Sequence, residues 1–142
     1  MSHAFEVQVN WKDGFRGEVV PVGAPLTVPF SLPKEFGGPG DEWTPEHFYA
    51  AGVGCCVMAT FISIAKMSKL EFVSYESRAA CSMEKTPEGF RMTSVTLKPR
   101  IVVSEEKERD RAQRMIEKAE SMCPISNSLK VTVELQASVE LA

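Results

Sequence analysis

Four cysteines, Cys55, Cys56, Cys81 and Cys123, are the most reactive side chains in this 142-residue chain. No Cys-x-x-Cys or His-x-x-x-His spacing supports a metal site, although His47 is a further candidate ligand, so thiol chemistry is the more direct use for them. The thiolate is the reactive form, and the surroundings of each cysteine decide which can reach it. Cys81 lies in an alternating stretch beside Ala79 and Met83 and reads as a small buried hydrophobe. Cys55 and Cys56 fall near the middle of a long apolar segment; on a helix they point about 100° apart. Cys55 then shares a stripe with Phe48, Ala51, Met58, Ala59 and Ile62, and Cys56 one with Tyr49, Gly52, Thr60 and Ser63. The second face is smaller and more polar, and a glycine one turn earlier admits a close neighbour, so Cys56 is the better candidate nucleophile. Cys123 precedes Pro124, at the N-terminal edge of a short turn to Leu129 whose free N–H groups favour a thiolate. If Cys56 and Cys123 meet, the pair can cycle between dithiol and disulfide.

The elements that must position these thiols follow from local pattern. Phe5, Val7, Val9 and Trp11 alternate with polar residues and predict a half-buried opening strand; Asp13-Gly14 is a turn, and Phe15 to Val20 the returning strand. Leu26, Val28 and Phe30 alternate once more, and residues 33–41 form a Gly/Pro loop. Thr44-Pro45-Glu46 is a helix start, with N-cap hydroxyl, proline at the first helical position and a carboxylate in the first turn. That helix is expected over about 45–69, buried and apolar nearly all round. Phe72 to Glu84 and Phe90 to Val103 predict a hairpin. Ser104 is the expected cap of a second helix over about 104–122, with Ala112, Met115, Ile116, Ala119, Met122 and Cys123 facing the core and Glu105 able to pair with Arg109. Val131 to Leu141 reads as one final strand. The order gives an α+β fold, with antiparallel sheets around two core helices, in a single domain over 1–142.

Composition narrows the function. With 44% hydrophobic and 25% charged residues and a net charge of −3, the chain has globular character and no basic field for nucleic acid. Residues 48–65 carry no charge, the minimum length for a membrane span, but the glycines, hydroxyls and missing flanking anchors favour a core helix over a membrane role. The first ten residues do not read as a secretory signal, so a cytoplasmic protein with reduced thiols is expected.

Three stretches resemble the OsmC/Ohr family of osmotically induced and organic-hydroperoxide-resistance proteins. They are Leu32-Pro33-Lys34-Glu35-Phe36-Gly37-Gly38, Thr44-Pro45-Glu46 continuing through Ala50-Ala51-Gly52 to Cys56, and Cys123-Pro124-Ile125-Ser126-Asn127-Ser128. The resemblance implies an α+β fold, an intertwined homodimer, and a thiol peroxidase that reduces organic hydroperoxides to alcohols with no cofactor beyond an external dithiol reductant. By position it makes Cys56 the peroxidatic cysteine, Cys123 the resolving cysteine and Glu46 the glutamate that holds an activating arginine; Cys55 stands where the family usually has Ser or Ala. The sequence departs from the family at the arginine, because Lys12 precedes Asp13-Gly14 and Arg16 follows it. Arg16 is the preferred cation, with Lys12 and Lys34 as alternatives. Phe36, Trp43, Phe48 and Tyr49 are candidates for an apolar substrate pocket. The departure leaves open a second role, a family member that binds a small apolar or thiol ligand without turnover, or a redox sensor.

Overall fold

A computed structural model describes residues 2–142. The chain divides into two compact units, one running through Phe48 and one from Tyr49 to Ala142.

The N-terminal unit is an antiparallel sheet in the order β1 (Val7–Asp13), β2 (Arg16–Pro21), β3 (Val28–Ser31). Asp13-Gly14 makes the predicted turn, with Gly14 at φ 48°. The opening strand is not half-buried as its alternation suggested: Val7, Val9 and Trp11 are 57%, 60% and 76% exposed. After β3 the chain makes a single 3-10 turn at Lys34–Phe36 and passes Gly38, where a Cβ would sit on the Leu32 carbonyl oxygen, so no other residue fits there. The Ser31 N–H then donates to the Trp43 carbonyl at 2.9 Å, which docks the end of this loop beside β3.

Thr44 caps α1 (Pro45–Met67) as expected, its hydroxyl accepting from the His47 N–H at 3.3 Å. His47 Nδ1 accepts in return from the Thr44 N–H at 2.9 Å, the reciprocal arrangement of a capping box with imidazole in place of carboxylate. By length and composition α1 could cross a membrane. Its Val53, Val57, Phe61 and Ala65 stripe is instead packed in the core of the C-terminal unit. The expectation of burial nearly all round does not hold, since Met58 and Ile62 stand 37% and 41% exposed.

The C-terminal unit has a long antiparallel hairpin, β4 (Ser74–Thr86) and β5 (Gly89–Val103), followed by α2 (Arg109–Met122), the four-residue α3 (Pro124–Asn127), β6 (Val133–Leu135) and β7 (Ser138–Leu141). Two expectations are corrected here. The sheet is mixed rather than wholly antiparallel, because β6 and β7 both run parallel to β5. The single final strand is also split, opposite Pro99, which has no N–H to continue the ladder. The second helix starts at Arg109 rather than at Ser104: a 3-10 turn at Glu106–Glu108 precedes it, held by Arg109–Glu106 at 3.1 Å and Arg111–Glu108. Glu105 pairs with Lys107, at 2.9 Å, and not with Arg109. Ala112, Ile116 and Ala119 of α2 meet Val95, Leu97, Ile101 and Val103 of β5 and the α1 stripe in one core, while Met122, expected inside, is 53% exposed.

Candidate functional site

Cys56 sits on α1 beside the buried Val53–Val57 stripe and is half-buried. Thr60 Oγ1 donates back to the Cys56 carbonyl at 2.8 Å, which fixes the polar side of this turn. Cys123 has no solvent exposure. It is at once the C-cap of α2 and the N-cap of α3, held extended at φ −65° and ψ 117° as a residue before proline prefers. Its Sγ accepts from the Ser126 N–H at 3.4 Å. Cys56 is near enough to Cys123 to act on its thiol, so the two cysteines that the sequence placed on separate core-facing helices are electrostatic neighbours.

The electrostatics of Cys123 differ from the sequence expectation. Backbone N–H groups of Ser126 and Ile125 do favour its thiolate, but the net push on its pKa is upward. Burial is the largest cause, and the neighbouring Cys56 thiol adds to it. Cys123 thus holds its proton more tightly than a free thiol does.

Arg16 and Glu46 belong to the N-terminal unit. Arg16 Nη1 lies 2.7 Å from Glu42 Oε1 and Nη2 lies 3.3 Å from Asp41 Oδ2, and these carboxylates hold its pKa above the ordinary value. The Asp41 hydrogen bond contributes most to that push, although the Glu42 contact is shorter. Glu46 is half-buried in the first turn of α1. Lys12 pairs with Glu18 at 3.1 Å across the hairpin, and Lys34 is exposed on the 3-10 turn. Asp41 and Glu42 were missed in the sequence; their only signal is a pair of acids closing a Gly/Pro loop.

Of the pocket candidates, Trp43 and Phe48 pack with ring centroids 5.2 Å apart and planes tilted by 42°, and Phe30 is edge-on to Phe48 at 6.4 Å. Phe36 is 40% exposed. Tyr49 belongs to the C-terminal unit, where burial, and then the charge Cys81 would carry, push its phenol up. Cys81 itself is half-buried against the core. Cys55 is exposed and lines an apolar cleft of about 220 Å³ with Ala51, Met58, Tyr75 and Ala79. Among the described residues no three His, Cys, Asp or Glu side chains converge as a metal ion would require.

Comparison with known proteins covers nearly the whole chain. The model of the OsmC-like protein family matches residues 38–138. The uncharacterized protein YmaD of Bacillus subtilis is 29% identical over 98% of this chain and 96% of its own length. An organic hydroperoxide resistance protein of Xanthomonas axonopodis pv. citri is 29% identical over 86% of this chain and 84% of its own. The crystal structure of an organic hydroperoxide resistance protein, OsmC, from Legionella pneumophila is similar with a TM-score of 0.77 and 26% identity, over 97% of each chain.

Proposed function

Since the chain belongs to the OsmC-like protein family, we propose that it is a thiol peroxidase for organic hydroperoxides, with Cys56 as nucleophile and Cys123 as resolver. The observation that carries this reading is the neighbourhood of the two thiols, with Cys56 half-buried on α1 and near enough to the buried Cys123 to raise its pKa. Relatives named for organic hydroperoxide resistance support the substrate class.

In the first step the Cys56 thiolate attacks the terminal oxygen of the hydroperoxide. An S–O bond forms, the O–O bond breaks, and the departing alkoxide takes a proton to leave as the alcohol, with Cys56 oxidised to a sulfenic acid. The Cys123 sulfur then attacks the Cys56 sulfur; an S–S bond forms, the S–O bond breaks and water leaves. An external dithiol reduces the disulfide by exchange. Arg16 is the cation assigned to stabilise the thiolate and orient the peroxide, with Glu46 in support, and no metal or organic cofactor enters these steps. The proposed assembly is a homodimer, which would cover the exposed apolar rows at Val7, Val9 and Trp11 and at Met58 and Ile62. The proposed setting is the cytoplasm, where the thiols are kept reduced.

One observation favours a second reading. The Arg16 fork is already engaged by two carboxylates, as suits a family member that binds a small apolar or thiol ligand, or senses oxidation, without rapid turnover.

Mass spectrometry with peptide mapping, after brief exposure of the reduced protein to one equivalent of cumene hydroperoxide, separates the two. The expected product is a Cys56–Cys123 disulfide, formed faster than with hydrogen peroxide. Thiols that stay reduced over minutes would rule out the peroxidase and leave the binding protein.

A further inference from the structure

Glu120 lies in the last turn of α2, a turn that holds no basic residue, and a carboxylate there faces the negative end of the helix dipole. An acid in that place needs a compensating partner, and it has one: the hydroxyl of Ser126, 7% exposed, donates to Glu120 Oε1 at 2.8 Å. The same Ser126 sends its backbone N–H to the Cys123 sulfur at 3.4 Å. The Glu120 carbonyl also accepts from the Cys123 N–H at 3.3 Å. One residue therefore grips both sides of the bend between α2 and α3 on which Cys123 sits, and no other side chain among the described residues is hydrogen-bonded to the Ser126 hydroxyl.

We propose that Glu120 is a positioning residue for disulfide closure: through Ser126 it fixes the bend that presents the Cys123 sulfur to Cys56. The inference rests on the reading of these two cysteines as a redox pair. It assigns Glu120 to the second step, in which Cys123 displaces water from the Cys56 sulfenic acid, and not to the attack on peroxide. The Glu120 carboxylate is half-buried and bonded to the Ser126 hydroxyl rather than to the Cys123 sulfur, which is why the role is one of geometry.

The test uses the full chain with Cys55→Ser and Cys81→Ser, so that two thiols remain, and follows by rapid quench the trapping of Cys56 sulfenate by dimedone and the appearance of the disulfide. With Glu120→Ala, sulfenate forms at a rate within about twofold of the parent, while closure slows about tenfold, the scale of one charge-assisted hydrogen bond. Glu120→Gln, whose amide oxygen still accepts from Ser126, closes within about threefold of the parent. Ser126→Ala slows closure as Glu120→Ala does, and the double variant is no slower than either, as groups acting through one contact require. Unchanged closure in Glu120→Ala, or a Glu120→Gln as slow as Glu120→Ala, overturns the assignment. Should Glu120→Ala not fold, Glu120→Gln and Ser126→Ala carry the comparison. If cumene hydroperoxide yields no sulfenate even in the parent, the peroxidase reading fails, and closure driven by diamide gives the same ranking of variants or refutes it.

Discussion

The Cys123 sulfur accepts from the backbone N–H of Ser126 at 3.4 Å and lies near enough to Cys56 for that thiol to push its pKa up. Two of the influences that raise its pKa come from Cys56 and depend on Cys56 being a thiolate. Conversion of Cys56 to a neutral sulfenic acid removes that charge while leaving the Ser126 and Ile125 donors in place. On the proposed cycle Cys123 is hardest to ionise while the Cys56 sulfur is charged and easier to ionise once Cys56 is oxidised, an order that suits two steps.

Burial, the largest influence on Cys123, persists through both steps, and it fixes the pH dependence of closure. The group is an acid whose pKa is raised, so its thiolate is scarce at neutral pH and grows as pH rises. Closure is expected to accelerate about tenfold per pH unit through the neutral range, levelling only above the ordinary thiol value. Quenched-flow measurement of disulfide from pH 6.5 to 9 checks this, and a flat profile at neutral pH would contradict it.

Arg16 carries a prediction of its own. A lysine keeps the charge but loses the planar fork that engages Glu42 and Asp41 together. Arg16→Lys is expected to lower the second-order rate of Cys56 oxidation by roughly 10- to 100-fold, the range for a lost bidentate or oxyanion-type contact. Lys12→Ala and Lys34→Ala, by contrast, stay within about twofold, as exposed charges do. A Lys12→Ala variant with the larger defect would move the activating role to Lys12.

Assembly is tested on α1. Ile62 is 41% exposed on the single chain, so Ile62→Asp should leave the protomer folded while removing apolar area from a dimer interface. Analytical ultracentrifugation at micromolar concentration is expected to show a dimer for the parent and a shift toward monomer for the variant. A monomeric parent would end the homodimer proposal.

Phe61 is fully buried, with ring centroids 5.3 Å from Phe72 and 5.4 Å from Tyr75. Phe61→Ala should cost about 3–5 kcal/mol of stability through lost burial and the cavity left behind. Chemical denaturation reads this as a lower midpoint, and a loss below about 1 kcal/mol would mean that the core of the C-terminal unit refills the space.

The residues that announce local structure were legible in the sequence. Thr44 and Pro45 fix the start of α1, Pro124 fixes the bend at Cys123, and periodicity put Cys56 and Cys123 on faces from which they could meet. What was not legible follows from the same logic. Alternation marks Val7, Val9 and Trp11 as one face of a strand, and spacing marks Met58 and Ile62 as one stripe of a helix, but neither pattern says whether the same chain covers that face. The partners of Arg16 sit in a loop, where Asp41 and Glu42 have no periodicity to betray them. Ser104 resembles a helix cap, yet the pairing of Glu106 and Glu108 with the arginines three residues later closes a 3-10 turn first. The split between β6 and β7 was written in Pro99, on a different strand, and so could be seen only once the pairing was known.

The pairing of β5 also sets an order of events in biosynthesis. Nearly its whole length can pair with β4 once the hairpin is made, but its other edge waits for residues 133–141, which arrive only after α2 and α3 have been synthesised. Parallel pairing across so long a span is slow, because the intervening loop must close before any contact rewards it. The thiols of Cys56 and Cys123 are therefore both present in the nascent chain before the sheet that frames them is complete. A growing chain held in reducing surroundings reaches the finished sheet with both sulfurs free, whereas one exposed to oxidant during that interval is open to joining the wrong pair among its four cysteines.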